Sequence, residues 1–158
     1  MKRNWKTYLF WIALAEGVGA LSGWLSREGS SWYQEFAAKP PLSPPGWVFP
    51  VVWSILYLAM GYASWRVYSR GEDPGTVRMG LIVYGIQLFF NFLWPIVFFR
   101  LEAFLAAFLV LIALWISIVI TMWQFYKSDE RAGDLLIPYL LWVTFAGYLN
   151  LGVYLLNA

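Results

Sequence analysis

The sequence contains no cysteine and no histidine. Disulfide bonds, thiol catalysis, zinc sites built on these residues and the usual axial ligand of haem are therefore excluded. Charge is also scarce, because only 13% of the 158 residues are charged whereas 61% are hydrophobic. A soluble domain of this length would need far more charge to cover its surface. The composition indicates an integral membrane protein of one domain, with no metal site and no resident cofactor.

Five apolar segments are long enough to cross a hydrocarbon core of about 30 Å. They cover residues 5–25, 47–68, 79–99, 103–126 and 135–156. The sequence therefore predicts one all-α domain over residues 1–158, a bundle of five transmembrane helices. The link around Arg100 is so short that spans three and four must form an antiparallel hairpin. The first span continues to Ser26 without an obvious cleavage site, so we do not expect a removable signal peptide.

The distribution of lysine and arginine predicts the orientation of the bundle. Most of these residues fall on the side of the N-terminus, namely Lys2, Arg3, Lys6, Arg66, Arg70, Arg78, Lys127 and Arg131. Only Arg27, Lys39 and Arg100 fall on the other side. The N-terminus should be cytoplasmic, with the C-terminus and the loop of residues 26–46 on the opposite side of a bacterial cytoplasmic membrane. Because the basic residues lie at span ends rather than in a patch, we expect no nucleic-acid partner.

The loop between spans one and two is the longest connection, and its part within residues 32–53 is rich in proline and aromatic residues. Pro40, Pro41, Pro44 and Pro45 cannot donate backbone hydrogen bonds and keep the chain extended or turning. The accompanying aromatic residues are Trp32, Tyr33, Phe36 and Trp47. This combination predicts a stiff, non-helical lid over a cavity. A connector anchored in the membrane interface by its aromatic side chains is equally compatible with the composition.

Polar and aromatic side chains recur on one face of three spans. Steps of three and four residues align Tyr84, Gln87, Asn91, Trp94 and Phe98 in span three, Trp53, Tyr57, Met60 and Ser64 in span two, and Tyr139, Trp142, Ala146, Leu149 and Asn150 in span five. Amides that face lipid are costly, so these faces must point into the bundle. A rise of about 1.5 Å per residue places Trp53, Asn91 and the span-one acid Glu16 at a similar depth. The pattern predicts a cavity below the lid, lined by aromatic rings and a few amides.

Each of these features also has a purely structural interpretation. Gln87 and Asn91 can join helices by hydrogen bonds, and the aromatic faces can be packing alone. Glu16 can be protonated and hydrogen-bonded rather than catalytic, because a bare carboxylate at that depth is costly. Gly19 and Gly23 match a helix-pairing motif, which does not say whether the contact lies within or between chains.

The predicted lining favours a flat, broad and mostly apolar ligand. Such molecules stack on tryptophan and tyrosine while a few amides orient their polar edges. A metal-free porphyrin or a sterol fits this description better than an ion or a sugar, since ion pathways need repeated charged or carbonyl-lined positions. Haem iron is disfavoured, because only tyrosine or methionine could ligate it.

Three segments combine proline and tryptophan at unusual spacings. They read WYQEFAAKPPLSPPGWVFPVVWSILY (residues 32–57), NFLWPIVFF (residues 91–99) and LLIPYLLWVTFAGYLN (residues 135–150). Together they resemble the signature of the translocator protein / tryptophan-rich sensory protein family, TspO/MBR. The resemblance implies a five-helix bundle, commonly a homodimer, with a ligand pocket closed by the first loop. It also implies binding of porphyrins such as protoporphyrin IX, of sterols and of synthetic benzodiazepine-type ligands.

The resemblance also implies ligand-contacting positions. By match to the family's motifs these are Tyr33, Pro44, Trp53, Asn91, Trp94, Trp142 and Ala146. The helical faces described above add Tyr57, Gln87, Tyr139 and Leu149 to the candidate ligand site. Some bacterial members of the family are reported to degrade protoporphyrin in light, and the matching tryptophans here would be Trp53 and Trp142.

Three functions follow from these observations. The first is a membrane receptor or binding protein for porphyrins, acting in tetrapyrrole sensing or transport. The second is a light- and oxygen-dependent porphyrin-degrading enzyme, although the sequence holds no positioned acid–base pair or nucleophile. The third is a structural dimer with weak sterol or lipid binding. Vertebrate members carry a sterol pattern with Tyr and Arg near the end of span five, and Leu151 and Leu155 stand at those places here.

Overall fold

The computed structural model describes residues 5–35 and 37–157. Lys2, Arg3 and Phe36, which contribute to the predictions above, lie outside the described residues. The described chain forms the helices α1 (Trp5–Leu25), α2 (Arg27–Glu35), α3 (Val48–Arg70), α4 (Pro74–Pro95), α5 (Phe104–Ser128), α6 (Glu130–Leu135) and α7 (Ile137–Asn157). A π-helical turn, Ile96–Arg100, continues α4.

The prediction of five membrane spans is confirmed. The spanning stretches are Trp5–Leu25, Val48–Arg70, Pro74–Arg100, Phe104–Ser128 and Glu130–Asn157. The first has the predicted bounds, whereas the third begins at Pro74, five residues before the predicted 79. Pro74 suits the first position of a helix, and the Asp73 side chain accepts hydrogen bonds from Thr76 N (3.1 Å) and Thr76 Oγ1 (2.5 Å). These hydrogen bonds also hold the pKa of the exposed Asp73 carboxyl below its usual value.

The connection between the first two spans differs from the prediction. Residues 27–35 form the helix α2, so among the described residues of this connection only Ser26 and residues 37–47 are non-helical. The prolines of the loop begin at Pro40, and therefore they do not prevent a helix before that point. Glu28 in the first turn of α2 also favours the helix through its interaction with the helix dipole. The predicted non-helical lid is therefore a short helix followed by an irregular loop.

The helices α4 and α5 form the predicted antiparallel hairpin. Pro95 lacks a backbone donor, and the π-helical turn after it closes with a hydrogen bond from Leu101 N to Ile96 O at 3.0 Å. Glu102 has a φ of 52°, which residues other than glycine rarely adopt. This strained reversal needs only residues 101–103 and lets α4 pack along α5.

Glycine allows α1 and α3 to approach each other closely at two points. A Cβ on Gly61 would lie 2.7 Å from Ile12 Cα, and a Cβ on Gly19 would overlap the ring of Tyr57. Gly23, the other member of the predicted helix-pairing motif, has nothing within 4 Å of an added Cβ. Gly19 therefore pairs α1 with α3 of the same chain, and the two helices have separated by Gly23.

The end of the bundle opposite the lid contains a buried ion pair. Arg66 of α3 meets Asp129, which lies between α5 and α6, with Nε–Oδ2 at 2.5 Å and Nη2–Oδ1 at 3.3 Å. The two side chains are only 8% and 15% exposed. The Arg66 Nη1 also donates to the Tyr62 hydroxyl at 3.1 Å. The surrounding core has no exposed surface at Met60, Ala63, Val67, Leu114, Ile118, Phe125 and Ala132.

Candidate functional site

A chain of hydrogen bonds joins the polar residues of three spanning helices. Tyr57 donates to Asn91 Oδ1, Asn91 Nδ2 donates to the Tyr139 hydroxyl at 2.6 Å, and Tyr139 donates to Gln87 Oε1 at 2.6 Å. Gln87 Nε2 lies 4.0 Å from Met60 Sδ. All five residues are buried. The predicted faces thus meet at one depth, and their amides bind the helices to one another.

An enclosed pocket lies on the lid side of this network. The candidate ligand residues that line it are Tyr33, Trp53, Trp94, Trp142, Ala146 and Leu149. Its free volume is only about 10 Å³, which is room for about one water molecule. Sites for drug-sized ligands usually offer roughly 300–1,000 Å³. The rings of the protein therefore fill this pocket.

The two tryptophans that the sequence singles out meet in the enclosed pocket. The Trp53 and Trp142 rings are nearly perpendicular, with centroids 6.4 Å apart. The Trp94 indole donates to Asn150 Oδ1 at 2.9 Å and is satisfied. The buried Trp142 Nε1 has no hydrogen-bond partner among the described residues, which buried indoles usually avoid. An acceptor atom of a ligand would satisfy this donor.

The helix α2 covers the enclosed pocket through Tyr33. The Tyr33 ring is buried and makes edge contacts with Phe98 (5.6 Å between centroids) and Phe99 (5.5 Å). Lys39 Nζ lies 5.0 Å from the centroid of the same ring. Burial raises the pKa of the Tyr33 phenol, so the group stays neutral. Pro44 is half-buried and does not line the pocket.

The irregular part of the lid is fastened to the last helix. Ala38 N donates to Asn157 Oδ1 at 3.1 Å, and Asn157 Nδ2 donates to Ala38 O at 2.8 Å. The Tyr148 hydroxyl donates to Pro41 O at 2.6 Å. These side chains of α7 hold the loop although few backbone donors are available in it.

A larger, open cleft lies on the other side of Trp53. It has a volume of about 500 Å³ and is bounded by α1, α2, α3 and α4. It shares four aromatic residues with the enclosed pocket, namely Phe49, Trp53, Trp94 and Phe99. The opposite wall is the small-residue face of α1, with Gly19, Ala20 and Gly23. The same rings therefore separate a filled pocket from an empty cleft.

The cleft also has polar groups at both ends. Glu16 lies deep in the span, and Arg27 lies just beyond the end of α1. The Arg27 guanidinium stacks 4.3 Å from the Trp24 ring centroid, and its Nη1 donates to Trp24 O at 2.7 Å. Ser30 and Ser54 add hydroxyl groups to the lining. The cleft is suited to an amphipathic, flat molecule.

A third opening lies between α3 and α7 on the outside of the bundle. It is an apolar crevice of about 440 Å³, lined by Val52, Leu56, Leu141 and Trp142 among others. Trp142 thus lines both this crevice and the enclosed pocket. Its ring therefore lies between the pocket and the outside of the bundle at this point.

The candidate residues therefore divide into groups. Besides the six that line the enclosed pocket, Tyr57 lines the cleft, whereas Gln87, Asn91 and Tyr139 lie in the hydrogen-bonded network. Sequence reasoning missed Phe49 and Arg27. The signal for Phe49 was its position four residues before Trp53, on the same helical face. For Arg27 no pattern in the sequence indicated a ligand.

Comparison with known proteins gives consistent matches. Residues 11–156 match the TspO/MBR family. The chain is 38% identical over 157 residues to the tryptophan-rich protein TspO of Chlorobaculum tepidum, covering 99% of each chain. It is 38% identical over 157 residues to the tryptophan-rich sensory protein of Cereibacter sphaeroides, covering 99% of this chain and 95% of the relative. It is 34% identical over 144 residues to the human translocator protein, covering 88% of this chain and 83% of the relative.

Proposed function

The chain belongs to the TspO/MBR family, and we propose that it is a membrane binding protein for porphyrins, such as protoporphyrin IX, and related flat hydrophobic ligands. It would act in tetrapyrrole sensing or transport. Relatives named tryptophan-rich sensory protein and translocator protein support such a role.

The observation that carries this proposal is the wall of aromatic rings between the two cavities. Trp53, Trp94 and two phenylalanines present their rings to the cleft of about 500 Å³. A flat conjugated ligand gains most from such surfaces, because stacking adds about 0.5–1.5 kcal/mol per ring pair to the burial of apolar area. The unpartnered Trp142 Nε1 lies in the enclosed pocket and not in the cleft, so it offers a donor only to a ligand group that enters that pocket.

The direct test is a titration with protoporphyrin IX. Purified protein in detergent is titrated in the dark while tryptophan fluorescence is followed, and the same samples are then illuminated alongside free porphyrin. We expect saturable quenching, with porphyrin decay no faster than in the control. Absence of saturable quenching would remove porphyrins from the proposal.

A second candidate function is light- and oxygen-dependent degradation of the porphyrin. The edge contact between Trp53 and Trp142 favours it, because two indoles beside one ligand could transfer electrons or trap reactive oxygen. In that case a new, protein-dependent product spectrum appears on illumination. Trp53→Phe and Trp142→Phe would then abolish turnover while binding largely persists.

We also propose a location and an assembly. The described basic residues Arg70, Arg78 and Arg131 lie at the end of the bundle opposite the lid, which supports a cytoplasmic N-terminus in a bacterial cytoplasmic membrane. The exposed apolar side chains Phe10 and Leu14 of α1 support a homodimer as well as lipid contact. The orientation can be tested with single cysteines introduced into loops at either end of the bundle. Their reaction with a membrane-impermeant reagent shows which end faces the outside.

A further inference from the structure

The two cavities beside Trp53 differ in the room that they offer a ligand. The enclosed pocket has about 10 Å³ of free volume, and the cleft has about 500 Å³. To admit a macrocycle, the pocket would have to displace several packed rings, including the Trp53–Trp142 contact. The cleft needs no such displacement. A large rigid ligand is therefore accommodated at lower cost in the cleft.

The width of the cleft comes from the small residues of α1. Gly23 and Ala20 face the aromatic wall, and nothing lies within 4 Å of a Cβ added to Gly23. Because Trp53 and Trp94 form the facing wall, a flat ring that enters at the level of Ala20 and Gly23 stacks on indoles while its other face meets small residues. The cleft thus has the shape of a slot.

The polar side chains at the two ends of the slot, Arg27 and Glu16, favour one orientation of a ligand over the other. Arg27 lies two residues beyond Leu25, the end of the spanning helix α1, where a span of this length is expected to meet the headgroups. A guanidinium has five N–H donors and binds carboxylates well, and the contact with Trp24 O uses only Nη1. A carboxylate can therefore pair with Arg27 while the ring that carries it stays within the membrane.

Glu16 marks the deep end of the slot. It lies nine residues before the end of α1, about 14 Å below that end at the α-helical rise. Among the described side chains Glu16 has no ion-pair partner within 4.0 Å. Its carboxyl oxygens can accept a hydrogen bond from an N–H group of the ligand. Together, Arg27 and Glu16 orient a ligand with acidic groups on one edge and N–H groups further in.

We propose that the cleft between α1 and α3 is the site of a carboxylate-bearing tetrapyrrole, whose ring stacks on Trp53 and Trp94 and whose carboxylates pair with Arg27. This inference rests on the proposed function, since it takes the porphyrin as the ligand. It adds the place of binding and the chemical group that is recognised, and both can be tested apart from binding itself.

The first experiment compares two glycines of α1. Neither Gly17 nor Gly23 has an atom within 4 Å of an added Cβ, so a side chain can begin at either position without overlap, but only Gly23 lines the cleft. We expect Gly23→Phe to raise the Kd for protoporphyrin IX at least tenfold, measured by porphyrin fluorescence. The matched control Gly17→Phe should stay within twofold of the wild type.

The outcomes separate this inference from the proposed function. If the wild type binds and Gly23→Phe binds as well as Gly17→Phe, the ring is not in the cleft and the inference is overturned. If the wild type itself shows no saturable binding, the proposed function fails, and the inference fails with it.

The second experiment tests the role of Arg27 in the same assay. Arg27→Gln should weaken the binding of protoporphyrin IX about two- to fivefold, which is the range of an exposed ion pair. It should leave the binding of the dimethyl ester unchanged, because the ester has no carboxylate. The control is Arg100→Gln, an exposed residue on the same side of the membrane that does not line the cleft. An equal loss for acid and ester would overturn the proposed carboxylate contact.

Discussion

The two halves of the bundle use similar residues in opposite ways. In the half away from the lid, side chains such as Met60, Ile118 and Phe125 are fully buried, and the ion pair of Arg66 and Asp129 is nearly so. In the half near the lid, aromatic rings border a cleft of about 500 Å³ and the mouth carries an exposed arginine. The difference teaches that composition alone does not distinguish a filled core from the wall of an open cleft. What distinguishes them is whether a neighbouring helix fills the space in front of the rings.

The largest effect is expected from the removal of the buried Arg66 side chain. Arg66→Met leaves the Asp129 carboxylate without its partner, and we expect a loss of about 3 kcal/mol in the free energy of unfolding, as for other buried pairs. Thermal unfolding in detergent measures the loss. The control is Arg70→Met, at an exposed position on the same helix.

Porphyrin affinity completes this test. The Kd of the folded Arg66→Met protein should stay close to that of the wild type, because Arg66 lies far from both cavities along α3. A tenfold weaker affinity with an intact fold would show that the two halves do not divide stability from binding.

The next test concerns the network that lies between the halves. Asn91→Leu leaves the buried Tyr57 hydroxyl without its acceptor and removes the donor to Tyr139, which keeps its hydrogen bond to Gln87, and we expect a loss of about 2 kcal/mol in stability. If Asn91 only joins helices, the Kd for protoporphyrin IX changes less than twofold. A large change in Kd without a loss of stability would instead make Asn91 a ligand contact.

A smaller effect is expected at the tryptophans of the lid-side half. Trp53→Phe should weaken porphyrin binding about two- to fivefold, since a smaller ring loses part of the stacking surface. Trp115→Phe is the control, because Trp115 is exposed on α5 and bonded to Thr144. Binding is followed by porphyrin absorption, which does not depend on the number of tryptophans. Equal affinities for both variants and the wild type would argue against the aromatic wall as the ligand surface.

The smallest expected effect is on the lid. A Cβ on Gly152 would lie 2.5 Å from Pro40 Cγ, so Gly152→Ala should push the loop away from α7. We expect dissociation of the porphyrin to become about two- to threefold faster, with an unfolding free energy within about 1 kcal/mol of the wild type. Gly147→Ala is the control, since its Cβ would meet Leu111 at an ordinary 3.8 Å. Stopped-flow displacement measures the rates, and equal rates would mean that the lid does not limit release.

Much of the fold was predictable because hydropathy determines the spans and helical spacing determines which faces point inward. The first span and the α4–α5 hairpin follow from apolar length and from a link too short for any other arrangement. The convergence of Tyr57, Asn91 and Tyr139 follows from residues that repeat at three and four positions on faces that must avoid lipid. These predictions use only hydropathy, link length and residue spacing, all of which can be read directly from the sequence.

The cavities could not be predicted in the same way. Spacing places Trp53 and Glu16 on faces and at depths, but the distance between α1 and α3 depends on which glycine meets which side chain. Gly19 contacts Tyr57 whereas Gly23 meets nothing, although the two look alike in the sequence. Likewise, the sequence leaves open whether the amides of Gln87 and Asn91 join helices or contact a ligand, whereas in the structure they form hydrogen bonds within the bundle.

The close contact of Gly61 with Ile12 has a mechanical consequence. Only Ala15 and Ser22 of α1 are buried, so this helix has little surface to lose if it changes its angle to the bundle. The contact at Gly61 lies toward the end opposite the lid. If α1 tilts about this contact, Gly23 moves further than Ile12 does. A thicker ligand would therefore widen the slot by tilting α1, against the hydrogen bond that Ser22 Oγ donates to Phe92 O at 2.9 Å.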